Sequence, residues 1–113
     1  MATPSLAREA FFSEDLPDEL LLEYWERMQD DSYRAFLDMV VLDLPKPTKV
    51  KTPMLVLGSA RDNMLKSSEI AATARAFNTQ SEIILDVAHN SMLEQHWQPV
   101  AERILIWLKE WKF

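Results

Sequence analysis

Glycine is nearly absent from this sequence, because Gly58 is the only one among 113 residues. Globular proteins usually contain about 7% glycine, the residue that adopts positive φ without steric cost. A shortage of this kind disfavours tight hairpins and glycine-rich phosphate loops, and it excludes an all-β fold. It also excludes a G-x-S-x-G nucleophile elbow, which places one glycine on each side of a serine.

Cysteine, an excess of basic residues and a long apolar run are also missing. Without cysteine there are no disulfides and no thiolate chemistry. The net charge of −6 argues against a nucleic-acid partner, since nucleic-acid affinity depends mainly on Lys and Arg contacts with phosphate. No stretch approaches the roughly 20 apolar residues of a membrane span, and the N-terminus does not resemble a signal peptide. We therefore expect a cytoplasmic protein with no membrane span.

The front of the chain has the pattern of three helices, over residues 5–12, 17–29 and 33–41. The second is the best indicated, because Pro17 suits a first helical position and a helical stripe of apolar residues follows. Residues 30–32 are expected to cap the third helix. The large apolar side chains of this part are expected to pack in a core, with the lining of an acyl pocket as the alternative; they are Phe11, Phe12, Trp25 and Met28.

The rear of the chain alternates between strand and helix patterns. Residues 54–57 and 83–85 are continuous apolar runs, as expected for parallel strands that are covered on both faces. A helix capped by Ser67 and ending near Asn78 connects them, and a last helix begins near Pro99. The predicted class is therefore α/β, with a β-α-β-α unit of parallel strands.

Proline separates these two parts of the chain. Three prolines between Leu44 and Pro53 forbid a regular helix and favour an extended connection. We divide the chain into a helical segment (1–44), a Pro-rich linker (45–52) and a β-α-β-α part (53–113). Two strands alone leave both sheet edges bare. We therefore expect a homo-oligomer, or a complementing half that supplies more sheet.

Asp62 and His89 are the candidate catalytic residues, because each closely follows one of the two predicted strands. The carboxyl ends of parallel strands meet at one edge of a sheet, so the two side chains can meet there. A carboxylate bound to one imidazole nitrogen orients the ring and stabilises its protonated form during proton transfer. The alternatives are a turn-capping role for Asp62 and an ordinary hydrogen-bonded histidine.

Other polar residues near the pair are weaker candidates. Ser59 follows Gly58 but lacks the second glycine of an elbow, and Ser91 is better suited to starting the next segment. The spacing of His89, Glu94 and His96 matches no compact helical pair of metal ligands. We therefore expect neither a metal nor a cofactor.

Three stretches of the chain resemble the C-terminal part of an α/β-hydrolase-fold protein of the esterase or lysophospholipase kind. They are residues 52–62, 88–97 and 104–108, which are similar to the acid-bearing strand end, the histidine loop and the closing helix of that family. The resemblance implies that Asp62 is the triad acid, that His89 is the general base, and that segment 1–44 is a lid. Two features depart from the family: the nucleophile elbow is absent, and residues 86–88 lack the glycine that commonly precedes the histidine.

The resemblance implies a fragment of a hydrolase acting on a small-molecule ester or a related bond. Such a fragment supplies the acid and the histidine but not the serine, so the chain alone is expected to be inactive. Two alternatives remain open. One is a non-catalytic remnant that folds by self-association or by pairing with a partner chain, and the other is a lid that binds a small molecule.

Overall fold

The computed structural model describes residues 3–30 and 32–112, which form five α-helices and a two-stranded parallel sheet. The predicted α/β arrangement with parallel strands is therefore confirmed at this level. The helices are α1 (Pro4–Phe11), α2 (Asp18–Glu26), α3 (Tyr33–Leu37), α4 (Ser67–Ala76) and α5 (Gln98–Glu110), and the strands are β1 (Val56–Ser59) and β2 (Ser81–Ile84).

The two strands pair in a register that runs from Val56 opposite Ser81 to Ser59 opposite Ile84. β1 thus begins two residues after the start of the apolar run at 54–57, and β2 begins two residues before the start of the run at 83–85. The predicted strand limits were wrong because they followed hydrophobicity, whereas a strand extends as far as its backbone pairing. α4 connects the strands and packs against both of them.

The expectation that both strands are buried on both faces is wrong for the second one. Val56 of β1 is buried, but Ile83 of β2 is half-exposed, and Leu85 just beyond β2 is 70% exposed. None of the residues of α5 is buried, although Arg103 joins this helix to β2 by donating two hydrogen bonds of 2.6 Å to the Glu82 carboxylate. Apolar side chains at the end of β2 and along α5 therefore lack a covering layer among the described residues.

A hydrophobic cluster lies instead between the front helices and the loop after β2. Its buried members are Phe12, Leu16 and Leu21. The partly buried side chains packed against them are Phe11, Leu20, Tyr24, Met28 and Leu93. The predicted packing role is thus confirmed for Phe11, Phe12 and Met28. Leu93 belongs to the segment after β2, so this cluster joins the two halves of the chain.

Helix ends and turns differ in detail from the sequence-based expectations. Ser32 caps α3 as expected, by accepting a hydrogen bond of 3.3 Å from the Ala35 amide, while Asp31 of the predicted 30–32 cap lies outside the described residues. α3 ends earlier than predicted and continues as a π-helical turn at Asp38–Leu42. The proline-rich connection is not extended throughout, since Pro47–Lys49 form a 3₁₀ turn.

The predicted cap of α4 is wrong by one position. Ser67 is the first residue of the helix, and Lys66 precedes it in the capping position. The Lys66 amide donates to the Glu69 carboxylate at 3.4 Å. An acid of the first turn therefore provides a hydrogen-bond acceptor at the N-terminal end of α4. Beyond the C-terminal end of α4, Asn78 adopts a φ of 57°, in the left-handed region that usually takes glycine.

Gly58 lies in the middle of β1, where an added side chain would crowd Ile83 and Ile70. A Cβ at this position would lie 2.7 Å from Ile83 Cδ1 and 3.0 Å from Ile70 Cγ1. We expect Gly58→Ala to lower the free energy of unfolding by about 1–3 kcal/mol, measured by urea denaturation. Shortening the opposing side chain in Gly58→Ala/Ile83→Val removes the nearest contact and recovers part of that loss. Strictly additive effects of the two changes would contradict this steric explanation.

Candidate active site

Backbone pairing continues beyond the ends of β1 and β2 and brings the two following loops together. The Ala60 amide donates to the Ile84 carbonyl at 2.9 Å, and the Arg61 amide donates to the Val87 carbonyl at 3.0 Å. Val87 and the neighbouring Ala88 are fully buried, which seats the second loop against the protein. The residues that follow each strand therefore start from fixed, adjacent positions.

The loops bring Asp62 and His89 into direct contact. Asp62 Oδ2 lies 2.9 Å from His89 Nδ1, and the Asp62 side chain is only 5% exposed. The other carboxylate oxygen, Oδ1, accepts hydrogen bonds from the amides of Met64 (2.7 Å) and Leu65 (3.0 Å). The turn-capping role of Asp62 and its predicted contact with His89 are both present, since one oxygen caps a turn while the other lies next to the imidazole.

The surroundings of Asp62 favour its ionised form. Burial by itself raises the pKa of this carboxyl, but the hydrogen bonds from His89 and from the Leu65 and Met64 amides outweigh burial, so the pKa is lowered overall. A carboxylate next to Nδ1 keeps the imidazole proton on that nitrogen. Nε2 of His89 then carries a lone pair and can accept a proton from a substrate or a nucleophile.

The lowered pKa of Asp62 gives a pH dependence of stability that can be tested. An unfolded aspartate titrates at about pH 3.9, and the folded pKa lies below that value. Ionised Asp62 therefore stabilises the fold above about pH 4, and this contribution is lost as the pH falls through the folded pKa. We expect the difference in unfolding free energy between the wild type and Asp62→Asn to shrink as the pH falls below about 4. Urea denaturation of both proteins across this range measures it, and a difference that does not change with pH would contradict the assignment.

A small cleft of about 150 Å³ lies beside the pair. Ser59 and Ser91 line it together with Asp62, His89 and apolar side chains from the strands and helices. Within residues 3–30 and 32–112, neither serine hydroxyl hydrogen-bonds to His89, whose ring has Asp62 as its partner. The cleft thus holds an acid and a histidine in contact, and the expectation that Ser59 is not a nucleophile stays a prediction.

Glu94 has a role at the site that the sequence did not reveal. The sequence suggested it only as a weak metal ligand, with His89 and His96. Its carboxylate is instead buried and accepts hydrogen bonds from Ser13 and from the Ala88 amide. In the part of the chain that the structure describes, no group of three or more His, Cys, Asp or Glu side chains could hold a metal ion. Since 81 positions separate Ser13 from Glu94, no local pattern marked this contact.

Comparison with protein-family models, with curated proteins and with solved structures finds no match for this chain. None of the helices formed by the described residues is long and apolar enough to cross a membrane. The geometry of Asp62 and His89, together with the sequence resemblance, is therefore the basis for a functional proposal.

Proposed function

We propose that this chain is the C-terminal part of an α/β hydrolase that cleaves carboxylic esters or related bonds. In this proposal Asp62 and His89 are two members of a Ser-His-Asp triad. The observation that supports it best is the 2.9 Å contact between Asp62 Oδ2 and His89 Nδ1, beyond the carboxyl ends of two neighbouring parallel strands. The chain order, acid before histidine, is also that of the family.

The proposed mechanism needs a serine from outside the described residues. His89 Nε2 accepts the proton of that serine as its oxygen attacks the acyl carbonyl, and then returns the proton to the leaving alcohol. A water molecule, activated by the same nitrogen, releases the acid product from the serine. Asp62 holds the ring in the correct tautomer and stabilises the imidazolium in both steps.

The size of the cleft also favours a site that is shared with other residues. Ligand pockets usually enclose about 300–1,000 Å³, whereas the cleft beside His89 encloses about 150 Å³. A cleft of this size does not by itself enclose a substrate of ordinary size. We therefore assign the substrate pocket and the oxyanion hole to the serine-bearing half.

The test begins with the genomic sequence upstream of this chain, where an open frame that encodes G-x-S-x-G is expected. Turnover of p-nitrophenyl esters is then measured for this chain alone, for the upstream product alone and for the two together. We expect turnover only from the mixture. Turnover by the lone chain that disappears in His89→Ala would contradict the need for a second half, and an inactive mixture would contradict the hydrolase proposal.

A non-catalytic role through self-association is the second candidate, and the uncovered apolar surface of the rear half favours it. Leu85, Ile104, Leu105 and Trp111 are all exposed. We expect light scattering to give a mass above that of one chain, rising with concentration, and Leu85→Ser to lower it. Leu22→Ser, at an exposed position of α2, is the matched control. A single-chain mass at high concentration would contradict self-association.

A further inference from the structure

We propose that Glu94 is a positioning residue, which holds the His89 loop in place by bridging it to the segment between α1 and α2. The catalytic importance of this bridge rests on the proposed function, but the bridge itself can be tested without any enzymatic activity. Glu94 is only 2% exposed.

One oxygen of Glu94 joins two distant parts of the backbone. Oε1 accepts hydrogen bonds from the Ser13 amide at 2.7 Å and from the Ala88 amide at 3.0 Å. The other oxygen, Oε2, accepts from the Ser13 hydroxyl at 3.0 Å. Ser13 and Ala88 are buried as well, so water does not readily replace the carboxylate as the acceptor.

A second connection holds the other side of His89. The amide of Asn90 donates to the carbonyl of Phe11, the last residue of α1, at 3.0 Å. The Phe11 ring also contacts the His89 ring, with 5.7 Å between their centroids. The last carbonyls of a helix have no hydrogen-bond partner within the helix, and here the Phe11 carbonyl accepts from an amide of the histidine loop. His89 therefore lies between Ala88, whose amide donates to Glu94, and Asn90, whose amide donates to Phe11 in the front of the chain.

The acid loop is held by the same helix. The Asn63 side-chain amide donates to the Glu9 carbonyl of α1 at 2.6 Å. Arg61 also forms an ion pair of 2.7 Å with Asp15, in the connection between α1 and α2. The contacts of Asn63 and Arg61 do not involve Glu94, so the acid loop keeps its position when the Glu94 bridge is lost. Loss of the bridge therefore moves His89 relative to Asp62.

Two substitutions of Glu94 separate the effect of its hydrogen bonds from the effect of its charge. In Glu94→Gln the side-chain oxygen can still accept from both amides, and the new NH₂ group can donate to the Ser13 hydroxyl oxygen. In Glu94→Ala the Ser13 and Ala88 amides both lose their acceptor. We therefore expect the glutamine variant to keep the position of His89 and the alanine variant to lose it.

The experiment reads the ¹⁵N chemical shifts of the His89 ring in the full chain, through its carbon-bound protons, near neutral pH. These shifts report which ring nitrogen carries the proton, and the exposed His96 serves as an internal reference. We expect the Nδ1-protonated form in the wild type, in Glu94→Gln and in the control Glu102→Ala, which changes an exposed acid on α5. Glu94→Ala is expected to shift towards the mixture of forms measured in Asp62→Ala.

A folded Glu94→Ala variant with the wild-type tautomer would overturn the positioning role. If Glu94→Ala does not fold, Glu94→Asp, whose carboxylate is drawn back by one methylene, is measured in its place. Unfolding of both would also overturn the proposal, because Glu94 would then be a requirement of the whole fold. Ester turnover is scored separately. An inactive reconstituted mixture with a Glu94-dependent tautomer would reject the hydrolase proposal and leave the bridge intact.

Discussion

Replacing His89 with alanine is expected to lower ester turnover by the reconstituted enzyme by at least about 10⁴-fold. The serine would lose the base that accepts its proton, and the leaving group would lose its acid. Asp62→Asn is expected to cost on the order of 10⁴-fold, because an asparagine amide that donates to Nδ1 forces the proton onto Nε2. The imidazole would then be present but unable to accept a proton from the serine.

Matched controls separate these losses from general damage to the protein. His96→Ala removes the other histidine, which is exposed and seven positions further along the chain. Asp86→Asn changes an exposed acid in the loop that also carries His89. We expect turnover within about twofold of the wild type for both, as for ordinary surface changes. Equal losses in His96→Ala and His89→Ala, or full activity in Asp62→Asn, would contradict the assigned roles.

The meeting of Asp62 and His89 could be predicted from the sequence because it depends on local patterns. Each residue follows an apolar run, and the helix between the runs implies a parallel pair whose carboxyl ends lie side by side. That inference holds even though both strands are displaced by two residues from their predicted starts. An error of two residues in the limits of a strand changes which residues pair, but a residue that follows the strand still lies at the same end of the sheet.

The support of the site could not be predicted, because it depends on contacts between distant parts of the chain. Glu94 has no sequence feature that points to Ser13, and Phe11 has none that points to Asn90. The exposure of Leu85 also escaped prediction, since an apolar run does not state what covers it. Periodicity identifies a buried face, whereas the partner of that face is set by the fold as a whole.

Leu16 is a further buried residue that the sequence did not indicate, and it bears on how the front helices pack against the rest of the protein. It lies in the connection between α1 and α2, outside any periodic pattern, yet it is only 1% exposed. The cluster around it includes Leu93, from the 3₁₀ turn that follows His89. A mobile lid would meet the rest of the protein through a surface that can open. Within this segment, the part from Phe11 to Met28 packs in one hydrophobic cluster with Leu93 of the histidine loop.

Leu16→Ala is therefore expected to lower the free energy of unfolding by about 2–5 kcal/mol, the usual cost of removing a fully buried leucine side chain. Leu22→Ala is the matched control, because Leu22 lies nearby on α2 but is 46% exposed, and it should cost less than about 0.5 kcal/mol. Urea denaturation followed by far-UV circular dichroism measures both. Hydrogen exchange at the Asn90 amide, which donates to Phe11, should accelerate in Leu16→Ala and not in Leu22→Ala. If the two variants are equally stable, or if exchange at Asn90 is unchanged, the front helices are a separable cover and the support of His89 must come from the sheet alone.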